Sequence, residues 1–542
     1  MRQLPAQPKS LRLLKKNVRP TGGKKMLANG LSRRHFLATS STLAAVIAAE
    51  SFPQFTRADE HKSVNVRMQN DIGTLDPNTM SNDAEGNTLA SVMPSLAQFD
   101  LKGDKIGWRP SPYVSNLGVS DDGLRISFTL KPGFQWTNGN GELSAEDVKY
   151  TFERAKKGDW AVTWTALDHV EVADNYSGAL VLKFPFEPFW MTTLAPYSGV
   201  VISKKATEAV EGKYTTEIPA TCGAYVYSWT PKTKIIFTRN PDWKGPASDF
   251  DQINYIDIDD TKAAELAYEA GELDITQITP ATAVRYKSSP PANSKVRVAG
   301  YPKYMWMGMN TQHPKLADIR VRQAIQHAVD VDSILTAAYS GLAKRAYGFA
   351  TPGEIGRRET TKIDFDPEKS RALLKAAGVT GLELELRTLS LQDRMAAAQI
   401  IQANLQDIGI TVKIVPEESG AFWDMGQEAK GNQWKDLQLW LMRFGSVPDP
   451  YDQSQWFVKD QIGKWNWERW SDPEFEDLFK KGMTEKDPAK RNDIYIRMQE
   501  IMDDTGAYVW IANEPIIFVH RDWLAPDITP NGDLELTNFK RA

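Results

Sequence analysis

The chain has 542 residues, 41% hydrophobic and 25% charged, a globular composition with room for about two to four domains. No run of 18 or more apolar residues occurs, which argues against a spanning helix, and the lone cysteine, Cys222, argues against an intrachain disulfide, a zinc cluster or an iron–sulfur site. Residues 59–542 carry 54 basic and 68 acidic side chains, a net charge of −14, which disfavours nucleic acid as a partner.

The first segment reads as an export signal. In "SRRHFLATSSTLAAVIAA", Ser32 to Ala49, Arg33 and Arg34 precede Phe36, Leu37 and a short apolar stretch, the spacing of a twin-arginine signal. A cut after Ala58 starts the mature chain at Asp59, and Met26 offers an alternative start. No cysteine lies near the cut, so a lipid anchor is not expected and the mature protein is placed free in a bacterial periplasm.

Strand and helix signals then alternate, the mark of an α/β protein. "LRISFTL", Leu124 to Leu130, alternates after the turn "SDDG" and predicts a strand. "NGNG", Asn138 to Gly141, reads as a tight turn rather than a phosphate loop. "GELSAEDVKYTFERAKKG" predicts a helix with Ser144 and Asp147 as a capping box. Its buried side is set by Val148, the Tyr150–Thr151 step and Phe152, and Gly158 is its expected end. "YVYSWTPKTKIIFTRN" predicts a hairpin turning at Pro231–Lys232. "FDPEKSRALLKAAG" predicts a helix capped by Asp366, with Pro367 at its first position and Gly378 at its end. "LELELRTL", "DRMAAAQIIQANLQDIG" and "ITVKIV" predict strand, helix and strand, hence a parallel pair with a right-handed crossover. The domains are expected to interleave.

Catalytic signatures are missing. There is no G-x-S-x-G, H-E-x-x-H, Walker or G-x-G-x-x-G motif. The six histidines (His35, His61, His169, His313, His327 and His520) are scattered, so no metal site, cofactor or enzymatic activity is expected.

Several motifs in order carry a resemblance: "GTLDP" (Gly73–Pro77), "WRPSPYVSNLGVSDDGLRISFTLKPGFQWTNG" ending at Gly139, "LSAEDVKYTFERA", "CGAY" (Cys222–Tyr225), "FTRNPDW", "MNTQHPKLADIRVRQAIQHAVD" (Met309–Asp330), "FDPEKSRALLKAAG" and "QANLQDIGITVKIV". From about Val64 onward the chain resembles the family 5 solute-binding proteins of bacterial ABC importers, the oligopeptide, dipeptide and nickel class. "CGAY" departs from the family's usual Gly-Pro-Tyr. The resemblance implies a two-lobed, three-domain periplasmic binding protein of type II with a hinge between the lobes. Domain I spans 59–97, 219–310 and 512–542, domain II spans 98–218 and domain III spans 311–511, after a signal peptide at 1–58. It further implies a monomer that captures a small-molecule ligand, delivers it to ABC permease subunits and performs no catalysis, exported here by the twin-arginine machinery.

The resemblance also directs attention to "FGSVPDPYDQSQWF", Phe444 to Phe457. Peptide-binding relatives hold the ligand ammonium on an aspartate where this chain has Ser446, while Asp449 and Pro450 match the later acid and proline. A serine carries no charge, and a buried cation needs a carboxylate. Either the ligand lacks the amine, as an oligosaccharide, opine or glycoside would, or Asp449 or Asp452 supplies the charge. The tryptophans nearby favour a flat or cationic group. Expected ligand contacts are therefore Ser446, Asp449, Trp440, Trp423, Trp306 and Tyr304, with Arg443 and Arg394 for a carboxylate or phosphate. "YMWMGMN", Tyr304 to Asn310, adds methionines that would adapt to varied ligands. A periplasmic hydrolase on this scaffold is the remaining alternative, and it would need a nucleophile with a base in reach.

Overall fold

The computed structural model describes residues 61–102, 105–158, 161–445, 447–529 and 531–542; the export signal and Ser446 lie outside the described residues. An eleven-stranded mixed sheet forms the frame. Its strands are β1 (Ser63–Met68), β2 (Tyr225–Thr230), β3 (Lys234–Arg239), β4 (Gln252–Asp257), β5 (Ile275–Gln277), β6 (Ser294–Met309), β7 (Lys344–Arg345), β8 (Leu382–Leu389), β9 (Ile410–Glu417), β10 (Leu439–Gly445) and β11 (Tyr508–Arg521). They run in the order β9-β8-β10-β6-β11-β5-β1-β4-β3-β2, with β7 on β11.

The sheet has two halves. In the near half β1 is parallel to β4 and β5, and β2, β3 and β4 form an antiparallel meander. In the far half β8 runs parallel to β9 and β10, and Gln392–Asp407 is the crossover helix between β8 and β9. The turn at Pro231–Lys232 closes the β2–β3 hairpin with Lys232 at φ 52°. Asn138, Gly139 and Gly141 take positive φ, as the tight-turn reading requires.

Among the described strands only β6 and β11 run through both halves. Ser294–Val298 of β6 pairs with Ile517–Arg521 of β11 in the near half, and Lys303–Gly308 pairs with β11 and β10 in the far half. The register of β6 against β11 shifts between Val298 and Gly300 and again between Gly300 and Lys303. Such bulges break the ladder and bend the strand, so the connecting ribbon is softest at Gly300–Lys303.

A separate four-stranded antiparallel sheet, ordered Val114–Val119, Arg125–Leu130, Ser177–Leu182 and Leu167–Val172, packs with the helix Ala145–Ala155. Ser144 and Asp147 make the expected capping box, and Val148, Thr151 and Phe152 are buried. The helix ends at Ala155, with Lys156 as a right-handed cap at φ −61°, so Gly158 lies beyond its end instead of terminating it. The helix Pro367–Ala377 is capped by Asp366 and ends on Gly378 at φ 68°, as its sequence indicates.

The far half has apolar side chains on both faces of its sheet. Met305, Met307 and Met309 join Leu384, Leu386 and Ile401 in one core. Tyr304 and Trp306 join Trp440, Phe457 and Trp510 in another. The three methionines are thus core residues with no exposure, and they line no ligand surface.

Candidate functional site

Pairing at the end of the far half sets Lys303 beside Gly445 of β10 on one flank and Glu514 of β11 on the other. Alternation along the strands puts Lys303, Met305 and Arg443 toward one face, and Tyr304, Trp306 and Phe444 toward the opposite one. This edge looks across a cleft at the near half and the four-stranded sheet. Contacts that bridge it include the Ile106 amide donating to the Gly353 carbonyl at 3.3 Å, the Glu187 amide donating to the Met483 carbonyl at 2.8 Å, Lys486 Nζ donating to the Asp121 carbonyl, and Phe186 meeting Tyr451 edge-on at 5.0 Å. Between them opens a cavity of about 530 Å³ whose lining includes Ile106, Ala299, Tyr301, Lys344, Gly353 and Pro448. That volume suits a small solute of peptide or oligosaccharide size.

A cluster of charges sits at the end of the far half where β6, β10 and β11 meet. Glu514 accepts from Arg394 Nη2 at 2.6 Å and from the Tyr339 hydroxyl at 2.7 Å, and its other oxygen accepts from Arg443 Nη1 at 3.1 Å. Burial opposes ionisation of Glu514, but Arg394 and Arg443 outweigh it and hold its carboxyl below the ordinary glutamate value. One carboxylate thus serves two arginines, and Lys303 stands beside them half-buried. Burial and the neighbouring Arg443 lower the Lys303 ammonium's pKa, against the pull of Glu514 and Asp83. Arg394 has a second carboxylate in Asp393 at 3.1 Å, whereas no ion pair reaches Lys303 among the described residues and Arg443 keeps 38% of its side chain exposed, so these two cations stay open to an anion.

The residues singled out from the sequence separate by burial. Trp440, Trp306 and Tyr304 are at most 1% exposed and belong to the core. The Trp306 indole donates to Glu468 at 2.8 Å, and Tyr304 stacks on Trp306 at 5.5 Å. Neighbouring rings cover all three in this structure. Arg394, 1% exposed, is spent on Glu514, Tyr339 and Asp393, so it braces that cluster and offers nothing to a ligand. Asp449 is also committed: both its oxygens accept from Arg491, at 2.8 and 2.9 Å, and it caps the turn of helix Pro450–Ser454 through the Tyr451 amide.

Arg443, with 38% of its side chain exposed, and half-buried Trp423 keep surface to offer. Trp423 belongs to a wall of half-buried rings with Trp465, Trp456 and Phe444, whose centroids lie 6.1–6.3 Å from their neighbours. Sequence reasoning missed Lys303. Its signal is a single basic residue in "YPKYMWMGM", where the residues after it are otherwise apolar.

Among the described residues several acids have no ion-pair partner and are lifted by burial: Glu354 and Glu468 to about 8, Asp452 and Asp533 to about 7. Glu354 accepts from Gln453 and the Thr351 amide, and Glu468 from Trp306. A folded state that keeps protons the unfolded chain releases loses stability as pH rises from about 4.5 towards 8. The melting temperature is expected to fall by about 5 °C or more between pH 5.5 and 8.5. Glu468→Gln should flatten part of that slope in scanning calorimetry, and a pH-independent melting temperature in the wild-type chain would refute the account.

Among the described residues no helix is long and apolar enough to cross a membrane, and no group of three or more His, Cys, Asp or Glu could hold a metal ion. A two-lobed α/β molecule with a bulged two-strand connection and a cleft between its halves is the architecture of a solute-binding protein. Residues 108–465 match the profile of the bacterial extracellular solute-binding proteins, family 5 (Middle), and the chain belongs to that family. It is 26% identical over 79% of its length to a di/tripeptide-binding protein 1 of Pseudomonas aeruginosa, covering 84% of that protein. It is 24% identical over 87% of its length to a probable D,D-dipeptide-binding periplasmic protein of Escherichia coli, covering 92% of that protein. Among solved structures, the periplasmic binding protein DppA of Helicobacter pylori, in complex with the peptide STSA, superposes with a TM-score of 0.69 at 23% identity. The match covers 88% of this chain and 98% of that one.

Proposed function

We propose that this chain is the capture component of an ABC importer, which takes a peptide or peptide-like solute into the cleft and hands it to the membrane permease. In this reading a twin-arginine signal exports it to the periplasm, where it acts as a monomer without catalysis. Domain I (59–97, 219–310 and 512–542) and domain II (98–218) face domain III (311–511), and the lobes close by bending at Gly300–Lys303.

The observation that carries the reading is the cation pair of Lys303 and Arg443 at the end of the far half. Arg443 shares Glu514 with the buried Arg394, Lys303 stands beside them with no ion pair of its own among the described residues, and a ligand carboxylate would meet both cations. The di/tripeptide and D,D-dipeptide relatives, and the peptide in the Helicobacter structure, support the same class of ligand.

Native mass spectrometry of mature protein purified from a periplasmic extract tests it. A ladder of peptide masses is expected. A single sugar-like mass would favour the second reading, a glycoside or oligosaccharide stacked on the wall of Trp423, Trp456, Trp465 and Phe444. Lys303→Met should weaken binding of a carboxylate-bearing peptide by about 10-fold or more, since a charge-assisted hydrogen bond contributes about 1.5–3 kcal/mol. Binding of the peptide amide should change little, and equal losses for acid and amide would remove Lys303 from the site.

A further inference from the structure

One group of the contacts between the lobes lies away from the cavity. On the near side stands one end of the four-stranded sheet, with the turn 120–124 and the segment 183–187 that follows strand Ser177–Leu182. On the far side stands the corner 483–487, where helix Pro473–Thr484 gives way to helix Pro488–Asp504. The Glu187 amide donates to the Met483 carbonyl at 2.8 Å, and Lys486 Nζ donates to the Asp121 carbonyl. Met483 and Tyr451 of the far side pack against the core of the near side. Tyr451 meets Phe186 edge-on and stacks in turn on Phe479 at 5.3 Å.

Both sides of this seam are fixed by local bonds. Asp122 accepts from the Leu124 amide at 3.0 Å, and Gly123 takes φ 72° in the turn. A Cβ at Gly123 would stand 2.9 Å from Lys486 Cε, so Lys486 lies directly on the turn. Asp487 caps the helix after the corner through the Ala489 amide at 2.9 Å. None of Asp121, Gly123, Glu187, Met483 and Lys486 lines the cavity. A swing about Gly300–Lys303 would part these bonds. Contacts made in the closed form alone favour closure without touching the solute, and the apparent affinity for any solute scales with the closed fraction.

We propose that this seam is a clasp: Met483 and Lys486 of the far lobe seat on the turn 120–124 and on Phe186–Glu187 of the near lobe and hold the lobes together. The inference rests on the lobe-closing reading above. It goes further in assigning part of the closing free energy to residues outside the cavity.

Hydrogen exchange on the full mature protein without solute, read amide by amide, tests the clasp. The Glu187 and Ile106 amides donate across the lobes, whereas the Leu182 amide donates to the Leu124 carbonyl at 2.8 Å within the four-stranded sheet. Met483 is half-buried and Lys486 exposed, so Met483→Ala/Lys486→Ala should keep the fold. The double variant should speed exchange at Glu187 and Ile106 together by about tenfold or more and leave Leu182 unchanged. A gain at Leu182 would mean fraying of the near lobe and would overturn the clasp. Exchange at Glu187 as slow in the variant as in the wild-type chain would overturn it too. The dipeptides alanyl-phenylalanine and glycyl-glutamate should lose affinity for the variant by a common factor, and a loss confined to one of them would put the seam in the solute site instead. Should the wild-type chain bind neither, the peptide reading fails while exchange still decides the clasp.

Discussion

Glu514→Gln should cost about 3–5 kcal/mol of folding stability, the scale for removing one partner of a buried ion pair. Glu514 is 7% exposed and holds three donors at once: Arg394, Tyr339 and Arg443. Glutamine fits the space, but it presents an amide donor to groups that are themselves donors. Arg394, 1% exposed, would keep only Asp393 at 3.1 Å as a charged partner. Chemical denaturation measures the loss. A cost below about 1 kcal/mol would mean that Asp393 alone carries the buried guanidinium. Because Glu514 flanks Lys303 in the register of β6 and β11, the same variant should also alter ligand affinity.

Arg491→Met should have an effect of similar size, about 3–5 kcal/mol, for the same reason seen from the other partner. It leaves Asp449 buried without a cation, on the turn that fixes the start of helix Pro450–Ser454. Arg491 also donates to the Gly482 carbonyl at 2.9 Å, so it ties the cleft loop to helix Pro473–Thr484. Limited proteolysis within 445–457 should speed up in the variant. The double variant Arg491→Met/Asp449→Leu should recover most of the stability, since an apolar pair often replaces a buried ionic one at little cost. A single variant no worse than the double would show that the pair does not hold the loop.

Much of the frame was legible because it rests on local rules. The capping box at Ser144 and Asp147, the Asp366–Pro367 start and the Gly378 end all depend on residues within one helical turn. The parallel unit of β8 and β9 follows from alternation and a helix-length spacing. Gly158 misled because glycine after a helix marks its end only near the cap, and Lys156 already closes this one.

Of the candidate site, sequence reasoning marked a stretch that lines the cavity but not the burial of its rings. The loop at Phe444–Phe457 does border the cleft, through Pro448 and Tyr451. Which rings stay exposed was not readable, because Trp306 and Trp423 look alike until the second core covers the first and leaves the other half-open. Nor does composition tell Asp449 from Asp452. That distinction depends on Arg491, 42 residues away on another helix.

The ribbon of β6 and β11 has a further consequence. Two strands bonded edge to edge resist sliding past one another, since slippage would break every rung of their ladder. They resist flexing far less at Gly300–Lys303, where rungs are already missing. Bending at the joint, a swing about an axis lying across the ribbon, is therefore easier than shear between the lobes. Lys303 stands at that axis, so a solute that engages it is held at the pivot, where a given swing displaces the bound group least.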